Sequence, residues 1–129
     1  MKTLLIIGSF LVAVALGLHA VLQNGSLIRY LDDHPHPKVV PWVEYGVGSG
    51  YYLVGDLQNS ATYFLRILER YPGFSSTDDA YFNYLQSLDD MNTPRQAMAD
   101  EYLKYLERFP QGNHAAVVQK RIEYCRNAR

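Results

Sequence analysis

Two stretches of the chain carry nearly the same message, and that repetition restricts the fold more than any other feature. Ser60-Ala61-Thr62-Tyr63-Phe64-Leu65-Arg66-Ile67-Leu68-Glu69-Arg70-Tyr71-Pro72 is echoed by Met98-Ala99-Asp100-Glu101-Tyr102-Leu103-Lys104-Tyr105-Leu106-Glu107-Arg108-Phe109-Pro110. Alanine, an aromatic, Leu-Glu-Arg, a second aromatic and proline recur in register, 38 positions apart from Pro72 to Pro110. Self-similarity at a period of about 20–50 residues is the mark of a stacked supersecondary unit, each copy needing its neighbours to bury its apolar face.

The local signals are helical. Pro41 suits the first turn of a helix over 42–54, weakened by Gly46, Gly48 and Gly50. Gly55 stops it, and Asp56 or Asn59 starts the next, where Ala61, Phe64, Leu65 and Leu68 form an apolar stripe at i, i+3, i+4 and i+7. Pro72-Gly73 ends that helix. Ser76-Thr77-Asp78-Asp79 opens another with hydroxyl caps and dipole-matched acids, and Tyr81, Tyr84, Leu85 and Leu88 make its stripe. Thr93-Pro94-Arg95-Gln96 reads as a capping box before a helix carrying Met98, Ala99, Tyr102, Leu103 and Leu106. Asn113 is the expected cap of a last helix with Ala115, Val118, Ile122 and Cys125 on one face and Arg126 and Arg129 at its end. The expectation is an all-α chain, with about five helices over 42–129: repeats at about 42–74 and 79–112, and a capping helix over 113–127.

Hydrophobicity is unevenly spread. Leu4 to Leu22 is broken only by Gly8, Ser9, Gly17 and His19, and as a helix it would extend roughly 28 Å, against a bilayer core of about 30 Å. Residues 1–23 therefore read as a transmembrane anchor. A cleaved signal peptide is the alternative, although such cores usually stop after 7–15 apolar residues and this run continues through its mediocre small-x-small sites. Lys2 before the segment and Arg29, Asp32, Asp33 and Lys38 after it place the N-terminus in the cytoplasm and the rest in the periplasm of a bacterial inner membrane. Gly8, Ser9, Ala13 and Gly17 would let a neighbouring membrane helix approach closely. Residues 24–41 read as a juxtamembrane spacer, with one interfacial turn at Leu27 to Leu31 and a semi-rigid stretch from Asp32 through Pro35 and Pro37 to Pro41.

Candidate chemistry is sparse. The formal net charge of −1 argues against nucleic acid as the main partner. His34 and His36 beside Asp32 and Asp33 lack further ligands at helical spacing, so no metal is expected. Cys125 is the only cysteine, which leaves no internal disulfide and no cysteine near the amino terminus for lipid attachment. Its place on an apolar face suggests an inert thiol. Haem, phosphate-loop and nucleophile-elbow motifs are missing, so neither a cofactor nor enzymatic activity is expected. The excess lies in the 11 tyrosines, a residue enriched at protein interfaces.

These residues resemble the tetratricopeptide repeat, in which each unit is a pair of antiparallel helices. Gly48, Tyr51, Gly55, Phe64 and Pro72 match the family pattern in the first repeat, and Tyr102 and Pro110 in the second. Ser60 stands where alanine is preferred, and Gln86, Asp89 and Met98 depart further. The closing Tyr-Pro and Phe-Pro resemble a bacterial envelope subset that includes outer-membrane assembly lipoproteins and coordinators of the Tol–Pal system. The resemblance implies that the first helices line a concave ligand groove, which makes Tyr45, Tyr51, Tyr52, Tyr81 and Tyr84 candidate protein-binding residues. The functional expectation is a membrane-anchored scaffold or accessory subunit, its partners the other subunits of a membrane complex. The alternative is a secreted periplasmic adaptor for peptides or envelope proteins.

Overall fold

The computed structural model describes residues 2–127; Met1, Ala128 and Arg129, including the expected role of Arg129 at a helix end, lie outside the described residues. Among the described residues there are seven helices and no strand. They fall into two compact units, Met1–His36 and Pro37–Arg129.

In the first unit, α1 (Lys2–Gln23) has no buried residue and is long and apolar enough to cross a membrane, a property it shares with signal sequences. The Ser9 hydroxyl donates to the Leu5 carbonyl at 2.6 Å, so the side chain is satisfied within its own helix. Ser9, Ala13 and Gly17 fall within about 80° of one another around the helix, whereas Gly8 lies about 100° from Ser9. Gly25, at φ +71°, supplies the left-handed residue that turns the chain, and Asn24 Oδ1 accepts the Ser26 N–H at 2.9 Å. Within the expected spacer over 24–41, the single turn expected at Leu27 to Leu31 is longer. Ser26–Asp33 forms an eight-residue helix, α2, because Leu27, Ile28 and Leu31 give it an apolar side. Within 24–41 the turn at Asn24 and Gly25 and residues 34–39 stay non-helical, and Pro41 belongs to the next helix.

The second unit holds α3 (Val40–Leu53), α4 (Leu57–Arg70), α5 (Thr77–Asp90), α6 (Arg95–Arg108) and α7 (Ala115–Asn127), the five helices expected. Two boundaries move. Pro41 occupies the tolerated second helical position, so α3 starts at Val40 rather than at Trp42. The last helix begins at Ala115, and the Asn113 N–H bonds across to Asp78 Oδ2 at 2.7 Å.

The repeat is structural as well as textual. After α4, the N–H groups of Tyr71, Phe74, Thr77 and Ala80 bond the carbonyls of Ile67, Tyr71, Phe74 and Ser76. After α6, the N–H groups of Phe109, Gly112, Ala115 and Val118 bond those of Tyr105, Phe109, Gly112 and His114. Each bond of the second set is its counterpart moved by 38 residues. Tyr71 and Phe109 also share one backbone conformation, φ −130°, ψ 58° and φ −128°, ψ 65°.

Side chains close the two hairpins differently. A Cβ at Gly48 would lie 3.2 Å from the Phe64 ring, so glycine lets α3 approach α4 closely. The Ser60 hydroxyl donates to the Gly48 carbonyl at 2.8 Å and meets the Ser87 hydroxyl at 3.1 Å, tying α3, α4 and α5 together through buried groups. In the second hairpin the backbones stand farther apart, and tyrosines fill the gap: Tyr102 donates to Asp89 at 2.6 Å and Tyr105 to Asp78. The core runs through Phe64, Ile67, Leu85, Met98, Tyr102, Tyr105 and Val118.

Two expected caps are not made as expected. Thr93 donates its hydroxyl at 2.6 Å to the Leu88 carbonyl at the end of α5, so no capping box forms before α6. Ser76 makes no side-chain cap to α5. Asp56 does cap α4, accepting the Asn59 N–H at 3.2 Å after Gly55 at φ +81°.

Candidate functional site

The first helices of the stack, α3, α5 and α7, border a groove. Its floor is set by side-chain bonds between positions one period apart: Asn83 Nδ2 donates to the Tyr45 hydroxyl at 2.9 Å, and the Tyr52 hydroxyl donates to Asp90. Both pairs are separated by 38 residues, so equivalent positions on successive first helices touch. A cleft of about 190 Å³ is lined by Ser49, Tyr52, Leu53, Phe64, Asn83 and Gln86. It shares Tyr52 and Gln86 with a second of about 260 Å³, lined also by Phe82, Asp89, Asp90, Tyr102, Val117 and Arg121.

The first cleft is mainly apolar, and the polar groups of the second are mostly self-satisfied. Asp89 takes the Tyr102 hydroxyl and the Arg121 guanidinium. Burial first, and then the bond to Asp89, pushes the Tyr102 phenol well above its ordinary pKa. The bonds to Tyr102 and Asp89 raise that of Arg121. The bond to Asp90, followed by burial, raises Tyr52. At the groove edge the His114 ring stacks on Phe82 at 4.1 Å and 3°, and its Nε2 lies 2.7 Å from Asp79. Neutral phenols and paired charges of this kind bind by shape and hydrogen bonding rather than by net charge.

Of the five candidate tyrosines, Tyr52 lines this groove, and Tyr45 packs edge-on to Phe64 at 5.5 Å with its hydroxyl accepting from Asn83. Tyr51 turns toward α4 and stacks on Tyr63 at 5.8 Å. Tyr81 is a core residue, edge-on to Tyr105 at 5.6 Å and to Phe109 at 6.3 Å. Tyr84 packs against Tyr81 and feels Glu69 on α4 and Glu101 and Lys104 on α6. The physical reason is helical phase. Around α5, Tyr81 and Tyr84 lie roughly opposite Gln86 and Asp90, so being on a first helix does not place a residue in the groove. Phe82, Gln86, Val117 and Arg121 were missed. Phe82 and Arg121 sit one residue from a recognised apolar position, where an amphipathic helix changes face.

A third cleft of about 390 Å³, which shares Asp89 and Arg121 with the groove, lies between the start of α6 and α7 and is lined also by Asn92, Thr93, Arg95, Tyr124 and Cys125. Arg95 and Arg121 stand over the Tyr124 ring at 5.0 and 5.6 Å. Burial is the main cause raising the Cys125 thiol pKa, which disfavours the nucleophilic thiolate. In the first unit His34 stacks on Tyr30 at 4.3 Å. Among the described residues no group of three or more His, Cys, Asp or Glu side chains is placed to hold a metal ion. The candidate membrane-packing residues Gly8, Ser9, Ala13 and Gly17 are all exposed on α1. Compared with protein-family models, curated proteins and solved structures, the chain matches none.

Proposed function

We propose that the protein is a membrane-anchored helical-repeat scaffold of the tetratricopeptide-like kind, an accessory subunit that holds a segment of another protein of a membrane complex. The observation that carries this reading is the bonding of period-related residues across the first helices, Tyr45 to Asn83 and Tyr52 to Asp90. It fixes neighbouring first helices side by side and leaves one continuous groove along them. The exposed apolar α1 supports retention at a membrane, with the groove-bearing unit on the periplasmic face by the distribution of flanking charge. The position of α1 at the amino terminus also supports a signal-cleaved periplasmic adaptor, the second reading.

A photo-crosslinking amino acid at Gln86, compared with one at Glu107 on the exposed side of α6, tests the groove. The expected outcome is a single discrete adduct from Gln86 in native membranes and none from Glu107. Equal labelling from both positions would dismiss the groove. Intact mass spectrometry separates the two readings, because cleavage would remove about 20 residues.

A further inference from the structure

The outward arc of α3 differs from an ordinary solvated helix face. Trp42 and Val39 are 53% exposed, Leu53 85% and Val54 79%, with Val43 beside them. Gly46 and Gly50 lie between these side chains, also exposed. At 100° per residue these positions fall within about 120° of one another. No charged or hydrogen-bonding side chain interrupts the arc apart from the indole of Trp42. The helix's one ionised residue, Glu44, points the other way and pairs with Arg66. A contiguous exposed apolar patch marks a contact surface.

The glycines say what kind of contact. Gly48 has an internal cause, the Phe64 ring. Gly46 and Gly50 have none: a Cβ at either would meet nothing within 4 Å. Glycine weakens a helix relative to alanine, so at these two positions intramolecular packing does not account for it. Four residues apart on one face, they form a notch that lets a second helix backbone approach closely.

We propose that this arc pairs with the same arc of a second copy of the chain, the two α3 helices crossing at Gly46 and Gly50. A two-fold pair sets each residue against the same patch of its partner. That arrangement suits this face because it carries no charge to meet its like, and notch meets notch. The exposed side chains amount to on the order of 600 Å² per chain, so a pair would bury about 1,200 Å², the lower edge of a specific interface. A bilayer surface fits less well. Lipid rewards large apolar side chains, and the centre of the arc is glycine. The arc also has none of the lysine or arginine that interfacial helices use.

The test is the variant Gly46→Leu/Gly50→Leu in the full-length protein, because leucine acts in opposite directions on the two occupants. For a helix pair, the expected result is that wild type runs at twice the 14.8 kDa chain mass in mild detergent. The variant would run as a monomer, with dissociation at least 100-fold more favourable, an unchanged helical circular dichroism spectrum and red-shifted emission from Trp42, the only tryptophan. Leu53→Asp, at a residue already 85% exposed, should give the same loss without touching the glycines. A monomeric wild type at tens of micromolar overturns the proposal, as does a dimer that survives either variant. Quenching of Trp42 by brominated lipids in vesicles, kept or strengthened by the leucines, would overturn it in favour of the bilayer.

Discussion

The two hairpins have the same backbone plan and contrasting chemistry. All four of their helices are 14 residues long, and their closing turns share one hydrogen-bond pattern. Yet Phe64 and Ile67 of the first hairpin correspond, 38 positions on, to Tyr102 and Tyr105 of the second. Gly48 corresponds to Gln86, and Arg66 to Lys104. The first hairpin is held by close approach, with a buried ion pair: Arg66 Nη2 meets Glu44 Oε1 at 2.7 Å, Glu44 being fully buried. The second is held apart by larger residues whose hydroxyls reach carboxylates on α5. A repeat thus conserves turn geometry and helix length more strictly than the interactions that fill its interior.

The sharpest break in the comparison is at the corresponding cations. Arg66→Met strips a guanidinium from a buried carboxylate and should lower stability by about 3 kcal/mol in urea denaturation. Lys104→Met, at an exposed side chain paired with Glu101, should leave the midpoint where it is. Next in size is the glycine contact. Gly48→Leu forces atoms into the Phe64 ring and should cost about 2 kcal/mol, while Gly46→Ala, with open space around it within the chain and made in the Leu53→Asp background where no partner helix meets it, should raise stability by about 0.5–1 kcal/mol. If both glycines respond alike, the close-approach account of the first hairpin fails.

Tyr105→Phe tests the second hairpin. It removes the hydroxyl that donates to Asp78 and accepts the His114 N–H at 3.2 Å, an expected loss of about 1–2 kcal/mol. The pH dependence follows from the raised phenol pKa values of Tyr102 and Tyr105. The unfolded phenols ionise near pH 10 and the folded ones at higher pH. Their contribution is complete below pH 10 and is lost as pH rises toward the folded values. A Tyr102→Phe/Tyr105→Phe protein should therefore lose stability less steeply than its parent in an alkaline titration. Smallest is Ser60→Ala, which removes the hydroxyl bonded to the Gly48 carbonyl and should cost about 0.5–1 kcal/mol, because Ser87 keeps its bond to the Asn83 carbonyl.

The helices were legible because their signals are local. Apolar stripes at helical spacing, Gly55, Pro72 and Pro110 marked α4, α5 and α6 to within a few residues. Where two partners competed for one group, local reading failed. Thr93 was expected to serve the helix after it, but its hydroxyl and its N–H both reach the Leu88 carbonyl at the end of α5. Asp78 and Asp79 looked like dipole-matched acids of their own helix. Their carboxylates instead reach Tyr105, Asn113 and His114 on the neighbouring turn. Of the tyrosines on first helices, Tyr52 lines the groove, whereas Tyr51 and Tyr81 turn to neighbouring helices, because sequence places a residue on a helix without fixing which face the next helix covers.

The chain by itself determined the all-helical class, the 38-residue period and the apolar amino-terminal helix, because each rests on spacing along one segment. Tertiary structure decided which tyrosines are core and which are groove. It also decided which glycine is packed and which two stand open, and which carboxylate serves which neighbour. Those outcomes depend on the angle at which one helix meets the next, and that angle is set by side chains 38 or more residues apart acting together.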